Sequence, residues 1–119
     1  MDENMTAFLS LMHSAFSFAK RAHDCSFDND EEKRHEDKCA AMAYASACIA
    51  KYSAAEAIYW TTPDLAHGEI PDLFAQFDTF THELLTDFET DHSRQWVNIE
   101  FEHLRELYEN SVCSLPIKD

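Results

Sequence analysis

One glycine and three prolines in 119 residues leave too little punctuation for a chain of many short strands. The single glycine also excludes most loops that cradle phosphates. Basic residues are scarce: nine Lys and Arg stand against 23 Asp and Glu, for a net charge of −14. That balance argues against direct binding of nucleic acid, because affinity for a phosphate backbone comes from Lys and Arg neutralising phosphates. Anionic membrane surfaces are disfavoured for the same reason. No apolar run has the length of a membrane span, and no basic stretch leads into an apolar one as in a secretory signal, so neither is expected. Cys25, Cys39, Cys48 and Cys113 include no C-x-x-C pair and fit no disulfide framework, so reduced thiols in a cytoplasmic protein are expected. G-x-S-x-G and H-E-x-x-H are missing as well, and nothing in the chain calls for nucleophilic catalysis or a cofactor.

What is present is apolar side chains at a helical period. Hydrophobic residues make up 45% of the chain, including nine Phe, four Tyr and two Trp, which is enough to build one domain around a core. From Asn4 to Asp24, Met5, Phe8, Leu9, Met12, Ala15, Phe16 and Ala19 recur at steps of three and four, which predicts a helix. Asp28, Asn29 and Asp30 then offer N-caps for a second helix over Glu31 to Trp60. Nine alanines between Ala40 and Trp60 make that segment a strong helix former, apolar nearly all round. Such a helix is either central in a bundle or shared with a second copy, with Tyr44, Tyr52 and Tyr59 as anchors of a homodimer through residues 40–60. Pro63 stops it, and Thr61–Ile70 is a linker carrying Gly68 and one short turn over Pro63–His67.

Pro71 suits the first position of a third helix running to Thr90, with the stripe Leu73, Phe77, Phe80, Leu84 and Phe88. A fourth runs from Arg94 to Val112 on Val97, Phe101, Leu104, Tyr108 and Val112. No Gly or Pro separates the last two, so one bent helix is the alternative there. Ser111–Asp119 closes the chain as a tail, frayed over 113–119. Short connections favour antiparallel neighbours, and the expected fold is an all-α, single-domain, antiparallel four-helix bundle.

The acid is placed unevenly. Residues 1–60 carry ten acidic and six basic side chains, and residues 61–119 carry 13 and three. Between Tyr52 and Ser93 there is no Lys or Arg and there are nine acids. The third helix therefore reads as apolar on one face and acidic on the rest. Like charges one turn apart, such as Glu83 with Asp87, cost about 0.2–0.5 kcal/mol per pair. One explanation is a solvated face that keeps the protein soluble. The other is a surface made to meet a basic one: carboxylates about 6 Å apart on successive turns imitate the phosphates of a strand. On that view Asp72, Asp78, Glu83, Asp87, Glu89 and Asp91 bind a Lys/Arg-lined groove on a protein partner.

Two other groupings bear on chemistry. Glu32/His35, Glu89/His92 and Glu100/His103 are E-x-x-H pairs, the ligand unit of di-metal bundles, but the first helix has no acid between Glu3 and Asp24 to complete such a site. His23, Cys25, His35 and Cys39 would suit a tetrahedral zinc if the first hairpin brought them together, although their spacing matches no standard finger. In size, acidity and helicity the whole chain resembles phage-encoded anti-defence proteins, among them anti-CRISPR proteins and restriction-blocking DNA mimics. It also resembles the immunity proteins of nuclease toxins. No specific motif carries that resemblance. It implies a non-enzymatic inhibitor or nucleic-acid mimic that occupies a basic site on a nuclease or nucleic-acid-binding complex. The alternative is a metal-binding helical-bundle enzyme or sensor using the E-x-x-H or His/Cys groups.

Overall fold

The computed structural model describes residues 3–26, 34–62, 70–90 and 94–112. Four helices account for nearly all of them: α1 Glu3–Ser26, α2 Arg34–Thr61, α3 Ile70–Thr90 and α4 Arg94–Ser111. Each follows the apolar period expected of it. The described part of α2 begins at Arg34, and positions 31–33, where its charged start was expected, lie outside the described residues. The helix ends one residue before Thr62, as a proline at position 63 requires. The last turn of α2 closes tightly, with Thr62 N–H donating to the Tyr59 carbonyl at 3.3 Å. The Asp28–Asp30 caps, the Pro63–His67 turn and the 113–119 tail all lie outside the described residues.

Cross-helix contacts fix an up-down-up-down order. Asn4 Nδ2 donates to Thr62 Oγ1 at 3.4 Å, Phe8 meets Tyr59 and Phe18 stacks on Tyr44, so α2 runs antiparallel to α1. Tyr59 against Phe74 and Tyr52 against Phe77 reverse α3 on α2. Gln76 bonded to Glu100 and Phe80 against Phe101 set α4 beside α3. Phe16 on Tyr108 and His23 on Phe101 close α4 back onto α1. α3 and α4 therefore pack side by side, and the single bent helix is overturned. Their opposite directions let both apolar stripes reach one core. The bundle measures 48 × 21 × 20 Å.

The core changes character along its section. Between α1 and α2 it is lined by Ala15, Ala19, Ala22, Ala41 and Ala45, all without exposed surface. Small side chains let two helix backbones approach closely. Toward α3 and α4 it is filled by Phe8, Phe74, Phe77, Phe80, Phe101 and Leu104. Cys48 is buried between the two, and burial pushes its thiol up to about 12.

Two expectations about α2 change. It is not central: Ala43, Ser46, Ala50, Ser53, Ala54 and Ala57 are exposed. Its apolar circumference reflects alanine on an outer face, where alanine is tolerated as a helix former. Tyr52 and Tyr59, expected as dimer anchors, are buried in the chain's own core, and Tyr44 is half-buried against Phe18 with Arg21 stacked over both rings. At the other end of the chain, Ser111 and Val112 are buried, so any tail begins after them.

Candidate functional site

α3 presents Ile70, Leu73, Phe74, Phe77, Phe80, Thr81 and Leu84 to the core. Asp72 and Asp78 are exposed and Glu83 is half-buried. Positions 87 and 89 belong to α3, but their side chains lie outside the described residues, as does Asp91 altogether. At about 100° per residue, positions 72, 83 and 87 fall in one row and positions 78 and 89 in another, about 120° away. The outer ridge between them carries Ala75, Thr79 and His82, all exposed. Among the described side chains of α3, Asp72 and Glu83 lie on one side and Asp78 on the other of a ridge of Ala75, Thr79 and His82, where composition alone suggested an evenly acidic face. Composition counts charges without their phase on the helix.

The two rows have different neighbours. On the side of the first, Gln76 Nε2 donates to both the Glu100 carbonyl at 2.9 Å and Glu100 Oε2 at 3.0 Å, which seats an α4 carboxylate against α3. Further along α4, Arg105 pairs with Glu102 and lies 3.9 Å from Glu109, so acids there are partly neutralised. On the side of the second row, the Tyr52 hydroxyl donates to Asp78 Oδ1 across the α2–α3 seam. Burial, and then the carboxylate it serves, hold the Tyr52 phenol well above its ordinary range.

That seam opens into a cleft of about 570 Å³. Ile49 and Leu85 form apolar walls, Tyr52 and Thr81 line its inner part, and Asp78, Thr79, His82 and Glu83 complete the lining. Sequence reasoning chose Asp78 and Glu83 for their charge. It missed the cleft because Tyr52 and Asp78 are 26 residues apart and Tyr52 looked like an interface anchor. Steps of four, three and four through Cys48, Tyr52, Ala55 and Tyr59 were the available sign that Tyr52 faces inward.

His23 turns toward α4: its ring stacks on Phe101 at 4.2 Å, with Nε2 3.1 Å from Asn98 Oδ1 and Nδ1 3.2 Å from Asp24 Oδ1. Cys25 is half-buried and Cys39 exposed, while the His35 side chain lies outside the described residues. Among the described residues no group of three or more His, Cys, Asp or Glu side chains is close enough to hold a metal ion. Of the E-x-x-H pairs, Glu100 and His103 form a surface contact at 4.0 Å; Glu32 and His92 lie outside the described residues. Among the described residues no helix is long and apolar enough to cross a membrane. No family model, curated protein or solved structure matches the chain.

Proposed function

We propose that this chain is a non-enzymatic interaction protein whose α3 surface occupies a Lys/Arg-lined groove of a nuclease or nucleic-acid-binding complex. The observation that carries this reading is the run from Tyr52 to Ser93, with nine acids and no Lys or Arg, five of those acids falling on α3, whose apolar stripe is spent in the core. A helix that needed only solubility would gain from intermixed lysines at four-residue spacing, each such pair worth about 0.2–0.5 kcal/mol. Acids on both sides of the ridge of Ala75, Thr79 and His82 suit a groove with basic walls on both sides. Complementary charge speeds encounter and sets register more than it supplies raw affinity.

The test is displacement of a labelled DNA or RNA duplex from a panel of nucleases and nucleic-acid-binding proteins. The wild-type chain should displace the duplex from at least one of them, less well as salt rises, because exposed charges are screened. Replacing Glu83 and Asp87 together by Lys should abolish displacement with the helical content unchanged. Equal competition by the reversed variant, or no displacement from any panel member, would sink the reading.

A further inference from the structure

The cleft between α2 and α3 has an unusual polarity of hydrogen bonding. Its hydroxyl hydrogens are already committed elsewhere. Tyr52 donates to Asp78. Thr79 donates to the Ala75 carbonyl at 3.0 Å, and Thr81 shares its proton among the carbonyls of Phe77 at 2.9 Å and Asp78 at 3.2 Å and the Tyr52 oxygen. Inside a helix this back-bonding leaves the hydroxyl with lone pairs to offer and no proton. Asp78 is exposed and has one carboxylate oxygen beyond the one that accepts from Tyr52. Among the described residues no Lys, Arg or His forms an ion pair with it. Around Asp78 the cleft thus presents acceptors between the apolar walls Ile49 and Leu85, with a second carboxylate, Glu83, and one ring that can donate, His82, also in its lining.

A group that fits must donate without accepting, carry positive charge, and tolerate apolar contact along its length. Guanidinium meets all three conditions: five N–H donors, no acceptor, and weaker hydration than an ammonium. The aliphatic stem of an arginine would lie along Ile49 and Leu85, as such stems do on apolar surface. We infer that the α2–α3 cleft seats the guanidinium of an arginine side chain, with Asp78 as its counter-ion, Tyr52 holding that carboxylate in place and Thr79 as a further acceptor. The inference rests on the proposed function for its macromolecular context: the arginine belongs to the basic partner. The shared chemistry with a free guanidinium compound is resolved by the experiment.

The probe is Nα-acetyl-arginine amide, titrated into the full chain while the methyl resonances of Ile49 and Leu85 are followed by NMR. Saturable shifts of those methyls are expected. Nα-acetyl-lysine amide should bind more weakly, and the neutral isostere Nα-acetyl-citrulline amide should not shift them. Asp78→Asn should weaken the arginine titration about tenfold, since it removes charge from a charge-assisted contact and keeps an acceptor for Tyr52. Tyr52→Phe, which leaves the carboxylate in place and unanchored, should weaken it less. Equal shifts with citrulline, an Asp78→Asn variant that titrates like wild type, or unmoved Ile49 and Leu85 would each overturn the cleft as a guanidinium seat.

Asp78→Asn then enters the duplex-displacement assay. Loss of competition there assigns the arginine to the partner. Unchanged competition by Asp78→Asn, beside abolition by the Glu83/Asp87 reversal, would overturn this inference and leave the proposed function standing. Arginine amide bound in the cleft, with no duplex displaced by wild type, would overturn the proposed function and leave a site for a free guanidinium ligand.

Discussion

The α1–α2 hairpin and the α3–α4 hairpin solve the same packing problem with opposite materials. The first is lined with alanine, carries charges of both signs, and lays Arg21 over the rings of Phe18 and Tyr44. The second is filled with Phe77, Phe80, Phe101 and Leu104 and has no Lys or Arg anywhere on α3. Alanine gains little area per residue, so the first hairpin depends on close approach and exact volume. A buried Phe or Leu is worth about 1.5–3 kcal/mol, several times the cost of a like-charge pair. The helix with the most repulsive surface is therefore backed by the part of the core that buries most per residue. A surface can be kept unfavourable for another purpose only where the core beneath it offsets the cost.

Truncation should break this contrast most visibly. Phe77→Ala, at the centre of the aromatic half, should cost about 3–5 kcal/mol in urea unfolding. In the alanine half, where truncation has little to remove, the damaging change is enlargement: Ala45→Leu should cost about 1–3 kcal/mol by forcing α1 and α2 apart. If Ala45→Leu proved neutral, the hairpin would not be closely packed and the contrast would fail.

A second, smaller effect lies on the seam between the halves. The Cys48 thiol, near 9.0 when solvated and about 12 when buried, must stay protonated in the folded chain. The unfolded chain releases that proton first as pH rises, so the folded state loses ground from pH 9 upward. Stability should be flat below that point and fall by up to about 1.4 kcal/mol per pH unit above it. Tyr52, whose phenol is raised in the same direction, steepens the fall at higher pH. Cys48→Ala should flatten the first part of the decline in alkaline denaturation curves; an unchanged slope would place the labile group elsewhere.

The smallest effect sharpens the charge side of the comparison. Asp87→Lys sets a cation one turn from Glu83, near the C-terminal end of α3 where positive charge suits the helix dipole. Melting at low salt should show a gain of about 0.2–0.5 kcal/mol per pair converted, shrinking as salt is added. A loss of stability would mean that the acidic row is structurally required.

Local chemistry was enough to write down the four helices. Recurrence of Leu73, Phe77, Phe80 and Leu84, the proline at position 63 and the alanine run over 40–60 are properties of neighbouring residues, and helices form from neighbours. The concentration of acid between Tyr52 and Ser93 is likewise a property of composition, and it was legible without coordinates. Which side of α2 faces inward was not legible, because alanine is equally at home in a core and on a helix surface, and only the partner helices choose. Acids on both sides of a ridge, in place of one even face, follow from where the core lies relative to each side chain. The Tyr52–Asp78 bond, the cleft around it and the turn of His23 toward Asn98 join residues 26 and 75 positions apart. Those contacts were decided by the packing of four helices at once, since side chains this far apart along the chain become neighbours only through a tertiary register that local sequence does not encode.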